Sequence, residues 1–317
     1  MTEPILFRRA DLADAGLARP DRETDAGFHR VRRGVYAPPG SAAAAADEQY
    51  LRAVHASSRT LTGDALYSHE SAAVILGLPV LGAWPTQVHL IAERRSGGRS
   101  QLDVVRHCLG LEDVPTRLVD GLLVTSPART AFDLALTRSF AAAVVVMDAV
   151  LRLHPEAAEE LAALVLAYGT RRGFRRVARV LAFADGRSGS VGESWSRVEM
   201  DRLGFEAPDL QVKVTTAGRD EFGDFGWRRR RVLGEFDGEV KYRADRYRMG
   251  GTVEDVVIRE KNRENRMRVE YPSIARWDWS DLRRGRLERI LLDAGVLRVR
   301  PPRPPERSSR GTSAVAR

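Results

Sequence analysis

The sequence predicts a multidomain α+β chain, and three observations carry that reading. Its 317 residues exceed what one hydrophobic core usually organises, and an apolar content of 43% is ample for several cores. Short strand-like stretches, such as Val88-His89-Leu90-Ile91 and residues 210–216, interleave with helical runs such as residues 140–153 and 253–268. Charge is also divided along the chain. Residues 171–317 hold 34 Lys+Arg against 23 Asp+Glu, a net +11, whereas residues 1–170 hold 17 against 20, a net −3. A basic half points to a polyanionic partner, most economically nucleic acid.

The single cysteine, Cys108, excludes an internal disulfide and a cysteine-rich zinc site, and it suits a reducing cytoplasm. The N-terminal stretch lacks the basic, apolar and small-residue order of a secretion signal. No 18-residue apolar stretch occurs, so a soluble cytoplasmic protein with no membrane partner is expected.

Taken in order, residues 1–40 read as a small helical unit closed by a hairpin. A short helix begins near Phe7-Arg8-Arg9-Ala10-Asp11-Leu12. Phe28-His29-Arg30-Val31 and Gly34-Val35-Tyr36-Ala37 then flank the tight basic turn Arg32-Arg33-Gly34. An alanine run at residues 42–46 precedes a helix over 47–60. The middle domain, residues 41–170, has a helix stopped at Leu76-Gly77-Leu78-Pro79 and a helix capped by Ser126 with Pro127 in its first turn. His69 and His89 lie in this domain with no nucleophile or carboxylate constellation nearby in sequence, and they read as structural histidines. Residues 171–189 read as a basic linker helix, and the Gly- and Ser-rich stretch 185–192 marks a boundary. The last domain, residues 190–300, opens with a helix capped by Ser190, carrying Glu193 and ended by Gly204. Strands follow, then the charged helix 253–268, a strand over 273–277 and a final helix capped by Ser280. Residues 301–317, rich in Pro, Ser and Arg, read as a disordered basic tail.

The stretch with most chemistry is residues 223–242. Arg228, Arg229, Arg230 and Arg231 stand where a hairpin can turn, between a strand bearing Asp224 and a strand over 232–237. Glu235 and Asp237 are two apart and project from one face of that strand, with Asp224 on its neighbour. Carboxylates crowded in this way repel one another and call for a cation or a raised pKa. Oxygen-only ligands favour a hard ion such as Mg²⁺ or Mn²⁺.

Two resemblances arise from these residues. Phe7-Arg8-Arg9-Ala10-Asp11-Leu12 and Arg32-Arg33-Gly34-Val35-Tyr36-Ala37, with residues 68–79 and 125–135, resemble AbiEi-type antitoxins and regulators over roughly residues 5–155. This implies an N-terminal winged helix-turn-helix followed by an α/β middle domain. Residues 188–295 resemble the restriction-endonuclease-like PD-(D/E)XK superfamily, in the branch related to very-short-patch-repair endonucleases. The residues that carry this are Glu193, Asp224, Glu235-Phe236-Asp237-Gly238, Lys241, Glu260-Lys261, Arg263-Glu264 and Arg276-Trp277 with Trp279 and Leu282. The resemblance implies an α/β/α domain with a mixed sheet. It also implies Asp224, Glu235 and Glu193 as metal ligands, Asp237 as a fourth ligand or supporting group, and a lysine beside the attacking water. The signature Glu-x-Lys reads Glu235-x-Asp237 here, so the lysine must be Lys241 or Lys261, with Lys241 preferred.

Three functions fit. One is a DNA-binding regulator of antitoxin type whose nuclease-fold domain only binds, with Arg32, Arg33, residues 228–231 and Lys261 as contacts. Another is a Mg²⁺- or Mn²⁺-dependent DNA endonuclease or nickase. The third is an antitoxin that acts by protein contact on a cognate toxin.

Overall fold

Apolar residues recur along three sets of short strands, and in the structure, a computed structural model, each set closes into its own sheet. Residues 3–14, 27–61, 64–92, 103–108, 114–216, 218–238 and 253–305 are described. They fall into two units whose chain segments alternate: Met1–Arg138 with Leu153–Ala182, and Ser139–Arg152 with Phe183–Arg317. No helix among the described residues is long and apolar enough to cross a membrane.

The first unit holds two of the sheets. Strands β1 (Phe7–Arg8), β2 (His29–Arg32) and β3 (Val35–Ala37) form an antiparallel sheet in the order β1-β3-β2, with the short helix α1 (Arg9–Asp14) after β1. The expected basic hairpin is present. Gly34 sits at φ 80, the left-handed backbone that the tight turn needs. The stretch 20–26, where a recognition helix would fall, lies outside the described residues.

The second sheet comprises β4 (Leu66–Tyr67), β5 (Val88–Ile91), β6 (Val104–His107), β7 (Thr116–Val119) and β8 (Leu122–Thr125), in the order β6-β5-β4-β8-β7. Two of its pairings, β4 with β8 and β5 with β6, are parallel. Tyr50, Leu51 and Val54 of α2 (Ala46–Ser58) and Val74 of α3 (His69–Ile75) pack on Val88, Leu90, Val104 and Val124 of the sheet. Ser126 caps α4 (Pro127–Thr137) as expected, accepting from the Arg129 backbone N at 3.0 Å. Within α4, Arg129 donates to Asp133 at 2.8 Å, and both side chains are fully buried. Burial pushes the Asp133 carboxyl up to about 6 against the opposing pull of Arg129. Helices α6 (Ala157–Tyr168) and α7 (Phe174–Phe183) follow α5 (Phe140–Leu153), and the boundary between the units falls near the end of α7. Helix α7 buries Val177 and Val180 and leaves Arg175 and Arg179 exposed, as an amphipathic basic helix does.

The second unit is built around one mixed sheet of β9 (Asp209–Thr216), β10 (Arg219–Trp227), β11 (Val232–Asp237) and β12 (Ser273–Asp278), in the order β12-β11-β10-β9. Strand β10 is antiparallel to both its neighbours, and β11 is parallel to β12. Period-2 alternation gives each face its own core. Phe225, Trp227, Phe236 and Trp277 pack with Met200 and Leu203 of α8 (Val191–Leu203). On the other face Val212, Val214 and Leu233 pack with Met267 of α9 (Val253–Glu270) and with Tyr271. Ser190 caps α8, and Gly204 ends it at φ 80. Helix α5 belongs here as well: its buried Asp148 accepts from Arg197, Ser194 and the Asp185 backbone N, each at 2.7 Å. Burial raises the Asp148 carboxyl, and Arg197 opposes the rise.

The last helix departs from expectation. It is two helices, α10 (Trp279–Arg283) and α11 (Leu287–Asp293), and the cap of the first is Asp278, not Ser280. Asp278 and Asp281 bond each other's backbone N–H reciprocally, at 2.9 and 3.1 Å, which satisfies two end donors where a serine would satisfy one.

Two substitutions test this packing. A Cβ on Gly192 would lie 1.9 Å from the Phe236 ring, so Gly192→Ala is expected to lower stability by about 1–3 kcal/mol in urea unfolding. Asp133→Ala strands the fully buried Arg129 charge, and a loss of about 3–5 kcal/mol is expected in the same measurement.

Candidate functional site

The hairpin β10–β11 carries Asp224 on its first strand and Glu235 and Asp237 on its second. A 3-10 turn over Arg228–Arg230 and Arg231, in a left-handed conformation at φ 56, joins the strands, and Trp227 pairs with Val232. The β10–β11 ladder runs from Trp227 with Val232 to Phe225 with Gly234, and Asp224 and Glu235 are the next residue on each strand. An Asp224 carboxylate oxygen accepts from the Phe236 backbone N at 2.8 Å.

Glu235 is 6% exposed, and both its oxygens are taken. Arg263 of α9 donates to Oε1 at 2.7 Å, and Arg276 of β12, its register partner, donates to Oε2 at 2.9 Å. The pairs spread outward: Arg266 and Arg263 meet Glu221, while Arg276 and Arg268 meet Glu264. The hydrogen bond from Arg268 holds the Glu264 carboxyl below its ordinary range. Among the described residues, Glu221, Glu235 and Glu264 are thus linked through Arg263, Arg266, Arg268 and Arg276.

Glu193 is also buried, at 3% exposure, on the first turn of α8. It accepts from the Gly189 backbone N at 2.8 Å and from Gln211 at 3.0 Å. Gln211 is a β9 residue at φ 50, a conformation uncommon for a side-chain-bearing residue in a strand. Asp237 ends β11, half-buried, in register with Asp278. Lys241 lies outside the described residues, and Lys261 is exposed on α9. Among the described residues, Glu193, Asp224 and Glu235 do not form a group of ligand atoms within 4.8 Å of one another.

The four hairpin arginines are exposed but have different surroundings. Arg228 pairs with Asp209 at 3.2 Å and Arg230 with Glu206 at 3.6 Å, while Arg231 donates to the backbone carbonyls of Val269 and Glu270 at the end of α9. At the N-terminal hairpin Arg32 is tied to Asp103 at 2.9 Å, whereas Arg33 is exposed.

A second cluster has no signature in the sequence. His69, His89 and His107 place ligand nitrogens within 4.8 Å of one another, the sole such group of three among the described residues. His89 Nδ1 is 2.9 Å from His107 Nε2, and the His69 ring stacks on His107 with centroids 3.7 Å apart. His69 and His89 are not satisfied structural histidines, because Nε2 of each is buried with no hydrogen-bond partner. Burial, and then the charges of His107 and His89, push His69 well below its ordinary pKa. Burial likewise lowers His89, and burial with His89 takes His107 down to about 4. The cluster shows no metal-motif spacing in sequence, because it depends on the parallel pairing of β5 with β6.

No family model matches the chain. Two Mycobacterium tuberculosis proteins, "Uncharacterized protein MT2308" of strain CDC 1551 and "Uncharacterized protein Rv2248" of strain H37Rv, are each 29% identical over 256 residues. The match spans 75% of this chain and 88% of theirs. The crystal structure of the RV2827C protein from Mycobacterium tuberculosis aligns over 56% of this chain and 72% of its own, at 17% identity and a TM-score of 0.35, too weak a likeness to carry an argument.

The ion-pair network gives a direct test. Glu235→Ala leaves two guanidiniums, each about a quarter to a third exposed, facing one another. A loss of about 1–3 kcal/mol is expected, and the double variant Glu235→Ala/Arg276→Ala should recover part of it in a thermodynamic cycle.

Proposed function

We propose that the protein binds DNA as a regulator or antitoxin of the AbiEi type, and that its second unit keeps a nuclease-like scaffold which binds without cutting. The observation that carries this reading is the double ion pair on Glu235. A metal-dependent phosphodiesterase uses that carboxylate to hold a cation that activates water and neutralises the scissile phosphate. Here two guanidiniums already neutralise it, from the helix and the strand that flank it.

The scaffold assignment draws support from the layout of the unit. A helix bearing Glu193 precedes three antiparallel strands, and a charged helix then crosses to a parallel strand, which is the layout that the PD-(D/E)XK resemblance implies. Polyanion binding draws support from the net +11 over residues 171–317 and from the exposed arginines of the β10–β11 turn. Arg229 and Arg33 are the better phosphate contacts. Arg228 and Arg230 already face carboxylates, and Arg231 serves the end of α9. One observation favours a Mg²⁺- or Mn²⁺-dependent endonuclease as second reading: Asp224 and Glu235 are on adjacent strands, and Asp224 accepts from the backbone N of Phe236, the residue after Glu235.

Fluorescence polarisation with duplex DNA, over a series of salt concentrations, tests the binding. Affinity should fall linearly on a log–log plot. The variant Arg228→Ala/Arg229→Ala/Arg230→Ala should reduce the slope by about one unit for each phosphate that these arginines neutralise. Supercoiled plasmid incubated with Mg²⁺ or Mn²⁺ should stay intact. Cleavage that disappears in Asp224→Ala would establish the endonuclease instead, and absence of any salt-dependent DNA binding would leave the protein-contact antitoxin.

A further inference from the structure

Two of the three histidines lie on neighbouring strands of the five-stranded sheet, and the third begins the helix that follows β4. His89 lies on β5 and His107 on β6, whose parallel register pairs His89 with Val105 and Ile91 with His107. Period-2 alternation puts Val105 and His107 on one face of β6, so His107 is the diagonal same-face neighbour of His89. His69 begins α3, directly after β4, and β4 is held to β5 where the Ser68 backbone N donates to the His89 carbonyl at 3.0 Å.

His69 takes a left-handed backbone at φ 50, which an L side chain adopts at a cost. Ser68 Oγ lies 3.0 Å from its Nδ1, so that nitrogen is engaged, while the buried Nε2 has no partner. His69 is 1% exposed, whereas His89 and His107 are half-buried and give the cluster a side towards solvent.

A bond between two imidazoles accounts for His89 Nδ1 and His107 Nε2. It leaves His69 Nε2 and His89 Nε2 orphaned in the interior, each at the cost of an unmade hydrogen bond. Two arginines stand nearby, each with a carboxylate partner. Arg138 pairs with Glu70, whose other oxygen lies 3.6 Å from His89 Nδ1, and Arg129 pairs through Nε with Asp133.

We propose that His69, His89 and His107 form a binding site for a divalent transition-metal ion of the zinc class. The donor set decides the class: three imidazole nitrogens suit Zn²⁺, with Co²⁺ and Ni²⁺ as substitutes, and do not suit Mg²⁺, which takes oxygen. Three protein ligands leave a tetrahedral ion one position for water or an external ligand. Glu70 Oε2, 3.6 Å from His89 Nδ1, adds a negative charge beside the cluster. The site is independent of DNA binding by the second unit, and nothing in it requires the acidic residues of β10 and β11.

The test uses the full-length chain without a histidine tag, stripped with chelator and titrated with Zn²⁺ by calorimetry and with Co²⁺ by visible absorption. One ion per chain is expected, with tetrahedral Co²⁺ bands that Zn²⁺ displaces and a hundredfold excess of Mg²⁺ does not. His107→Ala and His89→Ala should each weaken Zn²⁺ binding by more than about 100-fold, beyond what loss of a supporting neighbour causes. Circular dichroism and thermal melting in chelator check that both variants fold. Glu235→Ala should bind zinc as the wild type does, and Zn²⁺ should raise the melting temperature of the wild type but not of His107→Ala. Failure of the wild type to bind Zn²⁺ or Co²⁺, or undiminished binding by folded His107→Ala and His89→Ala, would overturn the assignment.

Discussion

A carboxylate buried in the middle of a sheet has to be neutralised where it stands, and in the second unit Glu235 sets that demand. Arg276 meets it because β12 runs parallel to β11 in a register that puts the two residues side by side. Arg263 meets it because α9 docks through Met267 on Val212, Val214 and Leu233, which lays the preceding turns of the helix along the sheet. Met267 thus fixes the position of the helix, and Arg263, one turn before it, reaches Glu235. Removing a partner from such a cluster costs more than the pair itself contributes, because the remaining charge stays partly out of water.

What the sequence makes legible is mostly local. The β10–β11 hairpin, the Ser190 and Ser126 caps and the Gly204 stop depend on residues a few positions apart, and they form where expected. The final helix is easily misread because two capping residues compete within three positions, and only the reciprocal bond between Asp278 and Asp281 decides between them. Strand spacing reveals the acidic residues, but the guanidiniums that meet Glu235 come from 28 and 41 residues further along. The same kind of distance hides the histidines. His89 and His107 are 18 residues apart, and only a parallel strand pairing makes them neighbours. Gln211 carries no signal at all, since nothing in its surroundings announces a left-handed backbone inside a strand.

The basic character of the C-terminal half is also less uniform than a net charge suggests. Several arginines serve the fold before any ligand arrives: Arg197 on Asp148, Arg231 on the end of α9, and Arg263 and Arg276 on Glu235. Guanidinium suits this work because its fork of donors bridges a carboxylate or gathers backbone carbonyls, which a lysine does less well. The abundance of arginine therefore records internal wiring as well as an outward field.

The chain enters the second unit twice, first with α5 and again after α7. Helix α5 is translated before roughly thirty residues of the first unit, yet the bonds to Asp148 from Arg197, Ser194 and Asp185 are made by residues that emerge later from the ribosome. During synthesis that helix must wait, with a carboxylate and an apolar face uncovered. A gene fragment cut at the Gly- and Ser-rich boundary would omit it altogether, leaving Arg197 without its acid. Boundaries for expressing the second unit alone are therefore set by residue 139, not by the linker that the composition advertises.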